Sequence, residues 1–248
     1  MYNASHHSLE WITTPVVMKF IENFSQAKAT TGLLQGYDVN WLFNNTSLYI
    51  VPMVNPDGVD LVLDQIPHTS FYYISAENIN DTGRPLGQVW NANIRGTDLN
   101  LNYPAGWERA REIRFAQGYT KPSVRYYVGP TPLSEPESLA MAIFTINVDP
   151  VLTISLHAQG GEIYWDYLNL ATERDLEIAR RFSVLSGYTV AQVPPESSFA
   201  GYKDWFIQYW RKPGFTIEVG HGVNPLPIWQ APIIYRALEA VFLEGMFL

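Results

Sequence analysis

The stretch "PVLTISLHAQGGEIYW", residues 150–165, holds a short apolar, β-rich run, a glycine pair and a second short run. It reads as a buried strand, a turn and a short strand, with His157 at the end of the first. "PGFTIEVG" (213–220) reads as another buried strand and carries Glu218 near its end. Helical patterns surround both. "SEPESLAMAIFTINV" (134–148) opens with Ser134 as cap and Glu137 three residues on, a capping box. "TERDLEIARRFSVLSG" (172–187) stops at Gly187, "AGYKDWFIQYW" (200–210) is a short helix, and residues 228–248 form a closing helix. Strands alternating with helices imply an α/β fold: a single domain over 1–248, with a mixed, mostly parallel sheet flanked by helices. Sites in such sheets collect just past the carboxyl ends of strands.

Nearer the N-terminus, "EWITTPVVMKFIENF" (10–24) has the spacing of an amphipathic helix. "SLYIVPMVNPDG" (47–58) reads as a buried strand stopped by a turn at Asn55-Pro56-Asp57-Gly58. Residues 59–103 have weak periodicity and read as a long irregular connection.

The totals narrow the function classes. A net charge of −8 without a basic cluster argues against a nucleic-acid surface. With no cysteine, a metal must be held by His, Asp or Glu. No apolar run is long enough for a membrane span, and the first residues lack the regions of a signal peptide. Compartment and oligomeric state stay open.

"NASHHSLEW" (3–11) places His7 and Glu10 three residues apart. On a helical turn such residues share a face, so both can reach one point. A His-His-Glu set with an open position is a recurrent catalytic zinc arrangement. It needs a distant third ligand, and His157 is the candidate over His6, His68 and His221. Taken alone, the pair also fits a capped helix with a surface histidine.

Six blocks, in order, widen the reading: "HHSLEWITTPVVMKF", "VPMVNPDGVD", "WNANIRGTDLNLNYP", "LSEPE", "ISLHAQGGEIYW" and "AGYKDWFIQYWRKPGFTIEVG". Together they cover most of the chain. The sequence resembles the zinc carboxypeptidase family, and within it the bacterial γ-D-glutamyl-L-diamino-acid endopeptidases that cut peptidoglycan stem peptides. The resemblance implies a zinc metallopeptidase with a murein peptide as substrate. It implies His7, Glu10 and His157 as zinc ligands and Glu218 as general base, taking a proton from a water acidified by the metal and passing it to the leaving amine. Asp98 is then the carboxylate behind a zinc histidine, with an Asx turn as its alternative role. Arg95 is placed to polarise the scissile carbonyl, and Asn100 to bind a substrate carboxylate. For Glu218 the alternative is a strand-end carboxylate paired with Lys212 or Arg211.

The departures from the family pattern also inform. Exopeptidases have an arginine after the clamp asparagine to grip a terminal carboxylate; here Leu101 stands there, which favours the endopeptidase branch. Asn91 and Leu9 replace basic residues of the family. The downstream tyrosine of the animal enzymes has no clear counterpart near Glu196, and Tyr202 is the residue that could substitute if its loop closes. Lys203 falls where the family sets the pocket for the side chain after the cut, and would complement the distal carboxylate of diaminopimelate; a solvated lysine is its alternative. His6 is expected to point away from the metal, and His221 to touch substrate or support it. The resemblance also implies two strands and a helix before His7, so the chain reads as truncated at its N-terminus, with His7 close to a mobile end and a bared sheet edge that would pair with another chain. A carboxypeptidase or deacylase on the same scaffold, and a metal-free binding remnant, are the competing functions.

Overall fold

The computed structural model describes residues 1–194 and 197–248; Glu196 and its neighbour at 195 lie outside the described residues. Strands run Tyr2–Ala4 (β1), Leu33–Leu34 (β2), Tyr37–Asp38 (β3), Ile50–Val51 (β4), Thr153–His157 (β5), Glu162–Tyr164 (β6), Thr189–Ala191 (β7) and Gly214–Glu218 (β8). Helices run Thr13–Ala29 (α1), Val39–Asn45 (α2), Pro56–Val62 (α3), Phe71–Ile79 (α4), Leu86–Val89 (α5), Trp107–Ala116 (α6), Pro136–Val148 (α7), Glu173–Ser186 (α8), Tyr202–Trp210 (α9) and Ala231–Phe247 (α10). None of the described helices is long and apolar enough to cross a membrane.

The main sheet has the order β4-β1-β5-β8-β6-β7, with β6 antiparallel to β8 and every other pair parallel. The mixed, mostly parallel sheet is as expected. Every residue of β5 is buried, because helices cover both faces. On one face Ile154, Leu156, Phe215 and Ile217 pack with Phe20 of α1, Phe182 of α8 and Phe242 of α10. On the other, Met141 of α7 and Tyr202 and Trp205 of α9 form a second cluster.

The first residues are not frayed. Strand β1 lies between β4 and β5, with Tyr2 opposite both Ile50 and Ile154. Tyr2 is buried and its hydroxyl donates to Phe242 O at 2.6 Å. The mobility expected of a ligand at residue 7 is therefore overturned by sheet pairing on two sides.

Three local expectations are corrected. Asn55-Pro56-Asp57-Gly58 starts a helix rather than ending in a turn: the Asn55 side chain accepts from Gly58 N at 3.1 Å, and Pro56 takes the first helical position. The strand before it shrinks to two residues. Residues 59–103 are not irregular but hold the rest of α3, then α4, α5 and a 3₁₀ turn at Leu99–Leu101. Leu61, Ala76, Leu86 and Trp90 from this segment bury Leu9, packing beneath the turn that follows His7. Finally, Ser134 does not cap α7. Asn102, from far along the chain, accepts from Glu135 N and from the Ser138 hydroxyl, and takes over that end of the helix.

Candidate active site

The carboxyl ends of β1, β5 and β8 converge on one point. His157 and Glu218 end β5 and β8 and are directly opposite in register. β1 leads into Ser5, whose backbone is left-handed at φ 54° and turns the chain toward the site. Ser5 N donates to Thr13 Oγ1 at 3.0 Å, and Thr13 Oγ1 donates to Glu10 O at 2.8 Å. The Ser8 hydroxyl donates to Trp90 O at 2.5 Å, and Asn55 Nδ2 donates to His6 O and Ala92 O. These bonds pin the 3₁₀ turn Ser8–Glu10 and leave His7 and Glu10 on one side of it.

His7 Nδ1 lies 2.8 Å from one oxygen of Glu10, and His157 Nδ1 lies 2.9 Å from the other. The two ring nitrogens are 3.3 Å apart. All three ligand atoms lie within 4.8 Å of one another. The opposite nitrogen of the His7 ring, Nε2, lies 3.0 Å from Asp98 Oδ1. Asp98 is therefore no free Asx turn: it takes the far N–H of this ring and fixes the tautomer that turns the Nδ1 lone pair toward Glu10 and His157.

This donor set fits zinc. Two imidazole nitrogens and one carboxylate leave a tetrahedral ion one open position. Two lone-pair-bearing nitrogens at 3.3 Å repel unless a proton or a cation lies between them and the carboxylate. In the protein alone the carboxylates beside the His7 ring favour a proton in that place. Burial opposes charge on every group here, yet the Glu10 and Asp98 carboxylates hold the His7 ring well above its ordinary pKa. Against the same burial, His7 and His157 hold the Glu10 carboxyl down to about 2.

The ligands open onto a cavity of about 410 Å³ lined by His7, Asp98, Asn100, Leu101, Arg114, Tyr126, His157, Lys203 and Glu218, among others. Glu218 is half-buried, and no side chain among the described residues hydrogen-bonds its carboxylate. Lys212 is committed to Asp149 at 2.7 Å and Arg211 is exposed, so among the described residues neither pairs with Glu218. Burial first, then the charges of Glu10 and Glu162, push the Glu218 carboxyl well above the usual range. Asn100 lines the cavity with its Oδ1 held by Tyr202 N at 3.0 Å, which leaves its amide N–H donors for a ligand.

Other expected residues stand elsewhere. Arg95 is exposed on a turn closed by Asn93, outside the cavity lining, so it is not placed to polarise a carbonyl. Tyr202 is fully buried, its hydroxyl 3.0 Å from Thr145 Oγ1 in the core, so it is no substitute for the animal enzymes' tyrosine. Lys203 lines the cavity but is not solvated. Its ammonium donates to Asp204 Oδ1 at 2.6 Å and Asp166 O at 2.7 Å, so its charge is already matched. His6 is no ligand, but it is not turned away either: its ring stacks on His157 at 5.6 Å and bonds Tyr103 Oη at 3.0 Å. His221 is exposed and outside the lining.

Arg114 is the cavity residue that sequence reasoning missed. It hides in the charged run "WERAREIRF" (107–115), yet Trp107, Ala110 and Arg114 are the buried residues of α6. Their spacing puts an arginine on the apolar stripe of the helix, and that stripe was the signal to read.

Comparisons with known proteins find the same fold and a family match. A γ-D-glutamyl-L-diamino acid endopeptidase 1 from Lysinibacillus sphaericus is 40% identical over 247 residues, covering 100% of this chain; the chain spans 61% of that relative's length. Bovine thrombin-activatable fibrinolysis inhibitor has the same fold, with a TM-score of 0.72 at 20% identity over 100% of this chain and 81% of that one. Murein-tripeptide amidase MpaA from Escherichia coli O157 aligns with a TM-score of 0.60 at 18% identity, over 98% of this chain and 80% of that one. The zinc carboxypeptidase profile matches residues 1–222, and the chain belongs to the zinc carboxypeptidase family.

Proposed function

We propose that this chain is the catalytic unit of a zinc peptidase that hydrolyses the bond between γ-D-glutamate and an L-diamino acid in cell-wall-derived peptides. The observation that carries the reading is the placement of His7 Nδ1 and His157 Nδ1 on the two oxygens of Glu10, in one cavity with Glu218, whose carboxylate no side chain among the described residues bonds. The 40% identity to the Lysinibacillus endopeptidase over the whole chain supports the substrate class. His7, Glu10 and His157 would hold the zinc, which when bound would supply Lewis-acid chemistry to a water and to the scissile carbonyl.

The chain's own residues do the rest. Glu218 takes the proton of the attacking water and returns it to the leaving amine. Its raised pKa in the metal-free protein keeps it a proton acceptor of useful strength, and a cation beside it lowers that value again. Asp98 fixes the His7 ring, and Asn100 offers amide N–H donors to the substrate. Leu101 presents an apolar wall where exopeptidases have a carboxylate-gripping arginine. That wall favours internal cleavage over removal of a terminal residue.

The test joins metal analysis to hydrolysis of L-Ala-γ-D-Glu-meso-diaminopimelate. Expected are about one bound zinc per chain, cleavage at the γ-glutamyl bond, loss of activity with a chelator and recovery with zinc. Cleavage that ignores chelators, or no cut at the γ-glutamyl bond, overturns the reading, as does release of D-Ala alone from the tetrapeptide that carries D-Ala after the diaminopimelate.

A further inference from the structure

Among the described residues, one lysine and one arginine line the cavity, and they differ in their partners. Lys203 is matched by Asp204. Arg114 is 7% exposed, and among the described residues its guanidinium pairs with no carboxylate: Nη1 donates to the neutral Gln117 Oε1 at 2.9 Å. The Asp98 carboxylate attracts the guanidinium from a distance but is not bonded to it, and a buried charge with no directly bonded counter-charge is costly unless something else completes it.

The group is also held rigidly. Its guanidinium carbon lies 4.5 Å from the centroid of the Tyr126 ring. Tyr126 is itself fixed, in a left-handed backbone at φ 69° with its N–H on Asp98 Oδ2 at 3.1 Å. The other oxygen of Asp98 holds the His7 ring. One carboxylate thus fixes both the metal ligand and the platform under Arg114, so the distance between reacting centre and cation is set by the fold.

We propose that Arg114 selects the γ-glutamyl linkage by gripping the free α-carboxylate of the residue on the acyl side of the scissile bond. This rests on the function proposed above and names the feature of the substrate that the site reads. In a γ-linked glutamyl residue a short alkyl chain separates the attacked carbonyl from a free carboxylate. An ordinary α-linked peptide has no charge there. The planar guanidinium fork binds a carboxylate by two parallel bonds, and the buried setting strengthens them. Because no carboxylate among the described residues is bonded to this cation, a substrate lacking the carboxylate leaves the fork buried without a bonded partner, and so is rejected.

The test uses the zinc-loaded chain and two substrates: L-Ala-γ-D-Glu-meso-diaminopimelate and its analogue in which the glutamyl α-carboxylate is a carboxamide. The expected kcat/KM ratio, acid over amide, is about 10²-fold for the unaltered chain, as a charged bidentate pair warrants. Arg114→Met brings the ratio near unity with zinc content unchanged. Arg114→Lys keeps the charge, loses the fork and gives an intermediate ratio; it serves alone if Arg114→Met fails to fold. Equal cleavage of both substrates by the unaltered chain, or a ratio unmoved in the variants, overturns the clamp and leaves the peptidase reading standing. Cleavage of neither substrate by the unaltered chain overturns that reading, and the clamp with it.

Discussion

Asp98 Oδ1 lies 3.0 Å from His7 Nε2, on the far side of the ring from Glu10; Asp98 is buried and its second oxygen is taken by Tyr126 N, while the His7 ring keeps one side to the cavity. A ligand oriented this way is fixed before the metal arrives. Asp98→Ala frees the ring and its tautomer, and zinc affinity should fall about 10–100-fold. Competition against a chromogenic chelator measures this; an affinity within twofold of the unaltered chain would show that packing alone orients the ring.

Proton release should accompany zinc binding. The Glu10 and Asp98 carboxylates raise the His7 pKa well above its usual value, despite burial. Near neutral pH the metal-free ring therefore carries a proton that zinc must displace. Titration calorimetry in buffers of different ionisation enthalpy should report about one proton released per zinc near pH 7. The apparent affinity should rise about tenfold per pH unit below the His7 pKa. The same sign governs stability without metal: the His7 contribution is present at low pH and fades as pH rises through the raised value. A binding enthalpy independent of buffer would refute this.

The ligand pair was legible because it is local: a three-residue spacing on a tight turn brings His7 and Glu10 together whatever surrounds them. The long strand-like runs at 150–165 and 213–220 were legible for the same reason, since a strand buried on both faces is written as a continuous apolar run. What escaped was set by tertiary contact. α3, α4 and α5 have 7, 9 and 4 residues, too short to show a period, and they are stable because Leu9 and Trp90 are buried among them. Asn102 displaced Ser134 as the partner of α7 from 33 residues away. Arg95 and Arg114 are alike as letters. Only the burial of the α6 stripe tells which of them faces the cavity.

Glu218→Gln separates catalysis from binding. Removing the general base should lower kcat by about 10²–10⁴-fold while zinc content holds. Stability supplies a second readout. Burial, Glu10 and Glu162 raise the folded Glu218 pKa above its ordinary 4.5, so the native state prefers the protonated form. That contribution is complete below the ordinary value and is lost as pH rises through the raised one. Glutamine mimics the protonated form at every pH. The metal-free variant should therefore melt higher than the parent at about pH 8 and match it at about pH 4. A variant equally stable at both would place the charge of Glu218 in solvent rather than in the site.

The anchoring of the N-terminal ligand can be tested at Thr13. Its hydroxyl accepts from Ser5 N at 3.0 Å and donates to Glu10 O at 2.8 Å, bridging the two ends of the segment that carries His7. Thr13 is fully buried, and so is Ser5. Thr13→Val keeps the volume and strands a buried N–H, which costs about 1–3 kcal/mol. It also frees the backbone of the turn, so zinc affinity should fall along with the melting temperature. Thr13→Ser restores the hydroxyl and should recover most of both. If Thr13→Val lowers stability and leaves zinc affinity untouched, the pairing of β1 with β4 and β5 is sufficient to hold His7, and the hydroxyl bridge serves the fold alone.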